Sequence, residues 1–78
     1  MLNDLAKRLD ALEKIEEILR LHLELDSDMT RNERAHYQLM LKSAEMFLER
    51  RNFGRVTRDY REIIRFLRKV EARLRDAA

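Results

Sequence analysis

The sequence predicts an all-α protein: an antiparallel up-down-up three-helix bundle that assembles into a homo-oligomer. Composition is the first of three observations behind this. Charged residues make up 41% and apolar residues 45% of a 78-residue chain with one glycine and no proline, a balance typical of long helices and coiled coils. Second, apolar residues recur at alternating intervals of three and four, the period of helix packing seams. Third, only two short polar breaks interrupt that period, so three helices with short connections follow, and short connections favour antiparallel neighbours.

The first helix is expected over residues 2–25, with Leu5, Leu9, Leu12, Leu19 and Leu23 on one face. Glu16 falls inside that stripe, and Ile15 and Ile18 widen it to one side. Asp26, Ser27, Asp28 and Thr30 then supply side-chain acceptors in place of helix formers, so the chain turns there. Thr30 with Glu33 three residues on makes a capping box, which opens a second helix over residues 31–51. Its main stripe is Tyr37, Met40, Leu41, Ala44, Phe47 and Leu48. Asn52-Phe53-Gly54 ends it, with Gly54 expected as the left-handed residue past the helix terminus.

The third helix, residues 56–76, carries two heptad rows that face opposite ways. Val56, Tyr60, Ile63, Leu67, Val70, Leu74 and Ala77 form the apolar row. Arg58, Arg61, Arg65, Arg68 and Arg75 form the other, with Ala72 where one more arginine would fall.

A chain of this length allows one domain, residues 1–78, with a core that is marginal alone and gains from oligomerisation. Surplus apolar residues supply the means. Ala35, Leu39 and Met46 lie opposite the main stripe of the second helix, and Leu21, Leu25, Ile64 and Phe66 sit off the stripes of theirs. Ala35, Leu39, Met46, Leu21, Leu25 and Phe66 are therefore the expected assembly surface, against a second copy in a dimer or against another protein.

With no cysteine there is no disulfide, thiolate metal site or cysteine nucleophile. No segment reaches the roughly 18 apolar residues of a membrane span, and no basic cap precedes an apolar leader. A cytoplasmic protein without cofactor or membrane partner is expected.

The net charge of +2 hides a segregation. Residues 1–28 carry four bases and eight acids, net −4, whereas residues 55–78 carry eight bases and four acids, net +4. Guanidinium groups at heptad spacing can bind successive phosphates, so the Arg58 to Arg75 row allows a nucleic-acid-binding bundle. It also allows pairing with Asp10, Glu13 and Glu17 of the first helix. Where Arg61, Arg65 and Arg68 point decides between the two.

Glu16 is a second candidate, since a carboxylate in an apolar stripe can set register or oligomer state. Glu33-x-x-His36 has the spacing of half a di-iron carboxylate site, but the third helix-borne ligand it needs is absent at that height, so no metal is expected.

Two short patterns resemble known families. Ala44, Phe47, Phe53, Val56, Tyr60 and Ile63 resemble the small and aromatic positions of a tetratricopeptide unit, with Ser43, Val56, Ile63 and Arg68 as departures. A single unit is present where such arrays need about three, so this is shared hairpin geometry and not membership. Arg31-Asn32-Glu33-Arg34-Ala35-His36 resembles the motif of HEPN-type ribonucleases. That resemblance implies Arg31 on phosphate, Asn32 assisting and His36 in proton transfer across a dimer cleft, without metal. Its six residues are a narrow basis, and the expected function is a non-enzymatic helical interaction and assembly module. Nucleic-acid binding comes second and metal-independent RNA cleavage third.

Overall fold

The computed structural model describes residues 2–77, and these are helical almost throughout, with no strand among them. Helix α1 spans Leu2–Leu25, α2 spans Arg31–Glu49 and α3 spans Phe53–Ala77, with a single 3-10 turn at Asp26–Asp28 between the first two. The capping box forms as expected: Thr30 Oγ1 accepts the Glu33 N–H at 3.1 Å, and Glu33 Oε1 accepts the Thr30 N–H at 2.8 Å. Two otherwise unpaired donors are thereby satisfied at one helix start.

The α2–α3 connection is tighter than expected, and Gly54 is not its left-handed residue. That role falls to Arg51, with φ of 56°, and Gly54 sits in the first turn of α3. Arg51 N–H reaches the Leu48 carbonyl at 2.9 Å and Asn52 N–H the Phe47 carbonyl at 3.0 Å, the paired closing bonds of a Schellman motif. Asn52 then starts the next helix at once. Its Oδ1 accepts the Arg55 N–H at 3.3 Å and its carbonyl accepts the Val56 N–H at 3.0 Å. Because Asn52 is a strong N-cap type, α2 must end by Glu49 and its positive-φ position lands on an arginine.

Helix α3 is the central element. Its row Val56, Tyr60, Ile63, Leu67 and Val70 is buried as expected, with Thr57 beside it, while Leu74 is half-buried and Ala77 exposed. Both other helices pack on α3 far more extensively than on each other. From α2 come Tyr37 and Ala44, with Met40, Leu41 and Phe47 half-buried. Phe47, Val56, Tyr60 and Ile63 thus do pack along one helical hairpin, while Phe53 lies outside that cluster.

On α1 the expectation is reversed. The core face is Ala11, Ile18, Leu21 and Leu25. The leucine stripe Leu5, Leu9, Leu12, Leu19 and Leu23 is between 53% and 81% exposed. Leu21 and Leu25, expected on the assembly surface, are core residues at 0% and 5% exposure. The cause is that α1 carries two seams of equal period. Ala11, Lys14, Ile18, Leu21 and Leu25 are also spaced three and four apart, with Lys14 as interruption, and periodicity alone does not choose between them. Charge does. Arg61 Nη2 lies 3.8 Å from Asp10 Oδ2 and Arg68 Nη2 lies 2.8 Å from Glu17 Oε1. Turning Asp10 and Glu17 toward α3 brings the Ala11 to Leu25 seam inward and sends the leucines out.

The molecule is elongated, 47 × 19 × 15 Å with a radius of gyration of 13.5 Å, against about 11.5 Å for a compact domain of this length. Three expectations concern urea unfolding. Arg51→Gly removes an L-residue from left-handed backbone and raises stability by about 1 kcal/mol. Gly54→Ala, whose new Cβ meets nothing nearer than 4.0 Å, raises it by about 0.5–1 kcal/mol. Leu67→Ala, at a site with 0% exposure, lowers stability by about 2–5 kcal/mol.

Candidate assembly surface

Two of the exposed α1 leucines, Leu12 and Leu19, also line clefts beside α2. Because α1 and α2 splay on α3, a cleft of about 370 Å³ opens between them, lined by Ile15, Leu19, Leu41 and Leu48 with Tyr60 beneath. His22 and Tyr37 also line it and meet there: Nδ1 lies 3.1 Å from the Tyr37 hydroxyl, and the rings are 5.6 Å apart. Burial, with the Asp26 charge, pushes the Tyr37 phenol above its usual range. Ile15 and Leu48 lead on into a second cleft with Leu12, bordered by Arg8, Arg51 and Phe53. The Arg8 guanidinium lies 5.2 Å from the centre of the Phe53 ring, a cation–π contact over the aromatic face.

Leu39 and Met46 extend apolar exposure onto the outer side of α2, at 67% and 42%, and Ala35 is exposed beside them. These three lie where the assembly surface was expected. Phe66 is only half available, since it is partly buried with its ring 4.9 Å from that of His36. The α1 leucines, expected on the core face, are instead the largest set of exposed apolar side chains. Their heptad spacing, broken only at Glu16, carries the signal, and the competing Ala11 seam conceals its meaning.

Glu16 is exposed and makes no ion pair among the described residues. It sits in the leucine stripe as expected, but the stripe is an outer face, so its carboxylate is solvated instead of buried.

The arginine row is largely occupied. Arg61 meets Asp10 and Arg68 meets Glu17, while Arg68 also takes Glu71 at 3.1 Å, which Arg75 reaches at 3.4 Å. Arg65 pairs with Glu62 at 3.0 Å along its own helix. Of the five, Arg58 alone has no acid partner among the described residues. The two carboxylates drive the Arg68 pKa further up, Glu17 first and Glu71 second.

The Arg31 and His36 pair is not brought together on one face. Five residues along a helix turn through about 140°, and His36 faces Phe66 while Arg31 stands exposed at the helix start beside exposed Asn32. Glu33 is committed elsewhere: Arg73 grips it through Nη2 at 2.7 Å and Nε at 2.9 Å and also reaches the Asp28 carbonyl at 3.2 Å. No group of three His, Asp or Glu side chains suited to a metal ion occurs among the described residues, and no helix there is long and apolar enough to cross a membrane. Comparison with protein-family models, curated proteins and solved structures finds no match for the chain.

The Arg73 hydrogen bonds, then the Thr30 N–H, hold the Glu33 carboxyl below its ordinary value. A carboxylate whose folded pKa is depressed contributes stability that is present above the ordinary value and lost as pH falls through the lowered one. Glu33→Gln is therefore expected to flatten the acid decline of the urea midpoint relative to wild type. Arg73→Ala does the same while leaving the capping box in place.

Proposed function

We propose that this chain is a small non-enzymatic association module, an up-down-up bundle in which α1 and α3 run parallel and whose outer α1 face joins a second copy. One observation carries the reading: five leucines at heptad spacing stand more than half exposed on one face of α1. Burying a leucine fully contributes about 1.5–3 kcal/mol, so each exposed one withholds about 1 kcal/mol. Ten such side chains across two copies withhold about 10 kcal/mol, against an association cost of about 4–15 kcal/mol. The leucine face alone is thus of the right size for a modest dimer, and the α1–α2 cleft adds to it. Exposure on this scale in a lone domain is a solubility liability.

A second copy suits the charge as well. Although residues 1–28 are net −4, Asp10 and Glu17 are turned toward α3. The positions beside the leucines carry Arg8, Glu13 and Arg20, a mixed set that tolerates its own image. Nucleic-acid binding through the Arg58 to Arg75 row draws less support, because α1 and α3 carboxylates already neutralise most of that row. Ribonuclease activity draws less again, with Arg31 and His36 on different faces. Both are testable by titrating RNA and DNA at two salt concentrations and by following RNA integrity.

Sedimentation equilibrium at micromolar concentration is expected to give a dimer for wild type and a monomer for Leu12→Glu with Leu19→Glu. Both positions are solvent-facing, so circular dichroism of the double variant should stay fully helical. A wild-type monomer at every concentration removes the reading.

A further inference from the structure

Resting on that assembly reading, the leucine stripe itself specifies how two copies would meet. We propose that the α1 helices pair antiparallel, with Leu5 facing the partner's Leu23, Leu9 facing the partner's Leu19 and Leu12 facing the partner's Glu16. All three pairs share one midpoint, at position 14, so one two-fold axis satisfies them together and the interface is isologous. The stripe from Leu5 to Leu23 is about 27 Å long at 1.5 Å per residue, and an antiparallel pair centred on that axis overlaps over its full length.

Glu16 selects this orientation over the parallel one. In a parallel pair Glu16 meets the partner's Glu16 in a single layer, two like charges confronted inside an apolar seam, which is strongly unfavourable. The antiparallel pair sets each Glu16 against a leucine and separates the two carboxylates by four residues, about 6 Å along the axis. It also opposes the two helix dipoles. The rim weighs the other way: a parallel pair brings Arg8 near the partner's Glu13, whereas an antiparallel pair brings the two Glu13 side chains together. Rim charges remain in water, where such pairs are worth little, so the buried layer decides. Glu16 thus acts as a specificity residue that lowers affinity and fixes direction, a use of polar seam positions that is well attested in coiled coils.

The chain has no cysteine, so single cysteines at exposed seam positions report orientation directly. Leu9→Cys and Leu19→Cys proteins are oxidised separately and as an equimolar mixture, with sedimentation of the reduced samples alongside. A disulfide needs Cβ atoms within about 4.5 Å, so the antiparallel pair yields a cross-linked heterodimer in the mixture and almost none in either protein alone. Self-cross-linking of each single variant overturns the orientation. Dimers in sedimentation that resist all seam cross-linking overturn the seam as interface while leaving association standing, whereas monomers throughout remove both. Glu16→Leu is expected to tighten the dimer by about tenfold or more and to admit parallel cross-links. An unchanged dissociation constant places Glu16 outside the interface.

Discussion

Everything in this fold depends on the buried row of α3 having to serve two helices at once. Val56, Ile63 and Leu67 are fully enclosed, yet α1 and α2 reach them from different sides and hardly support one another. A chain this short cannot enclose its own apolar surface completely. The shortage is concentrated where α1 and α2 diverge, so the unfilled cleft and the leucine face lie next to each other. Two-sided service by one helix therefore produces both the core and the apolar surface left exposed.

The electrostatics follow the same geometry. Arginines spaced to run along the flank of α3 find α1 acids at matching intervals, Asp10 with Arg61 and Glu17 with Arg68, seven positions on in both helices. Each such pair is solvent-exposed and worth little in stability. They lie on the side of α1 that faces α3, next to the Ala11 to Leu25 seam. The same contacts absorb the guanidinium groups that would otherwise have been free for phosphate.

Much of this was legible from residue order. The α1 limits, the Thr30–Glu33 capping box and the inward row of α3 from Val56 to Val70 each rest on local chemistry with one dominant solution, and each stands as expected, whereas the row's last members, Leu74 and Ala77, emerge from the core. The inward face of α1 was not legible, because Leu5 to Leu23 and Ala11 to Leu25 satisfy the same period. Leucine count favours the wrong seam. Small Ala11 suits close approach to α3, which only the packed partner reveals. Gly54 misled for a related reason: glycine is the usual left-handed residue, but Asn52 claimed the cap and moved the reversal onto Arg51. The exposure of Ala35, Leu39 and Met46 follows from the opposite-face rule, while Leu21 and Leu25 go inward with the seam that displaces the leucine stripe.

The dependence of both outer helices on α3 also bears on how the chain reaches this state in time. Contacts between α2 and α3 close across the short Arg50–Asn52 connection, whereas α1 meets α3 through residues 51 positions apart, as in the Arg68–Glu17 pair. Near contacts form ahead of distant ones, so the α2–α3 hairpin is expected to precede the docking of α1. Until that docking, α1 presents two apolar seams of equal period, and either can meet either hairpin when two chains are close. Only docking on α3 decides which of the two seams becomes the outer face, so the exposure of the leucines is settled late, when α1 closes.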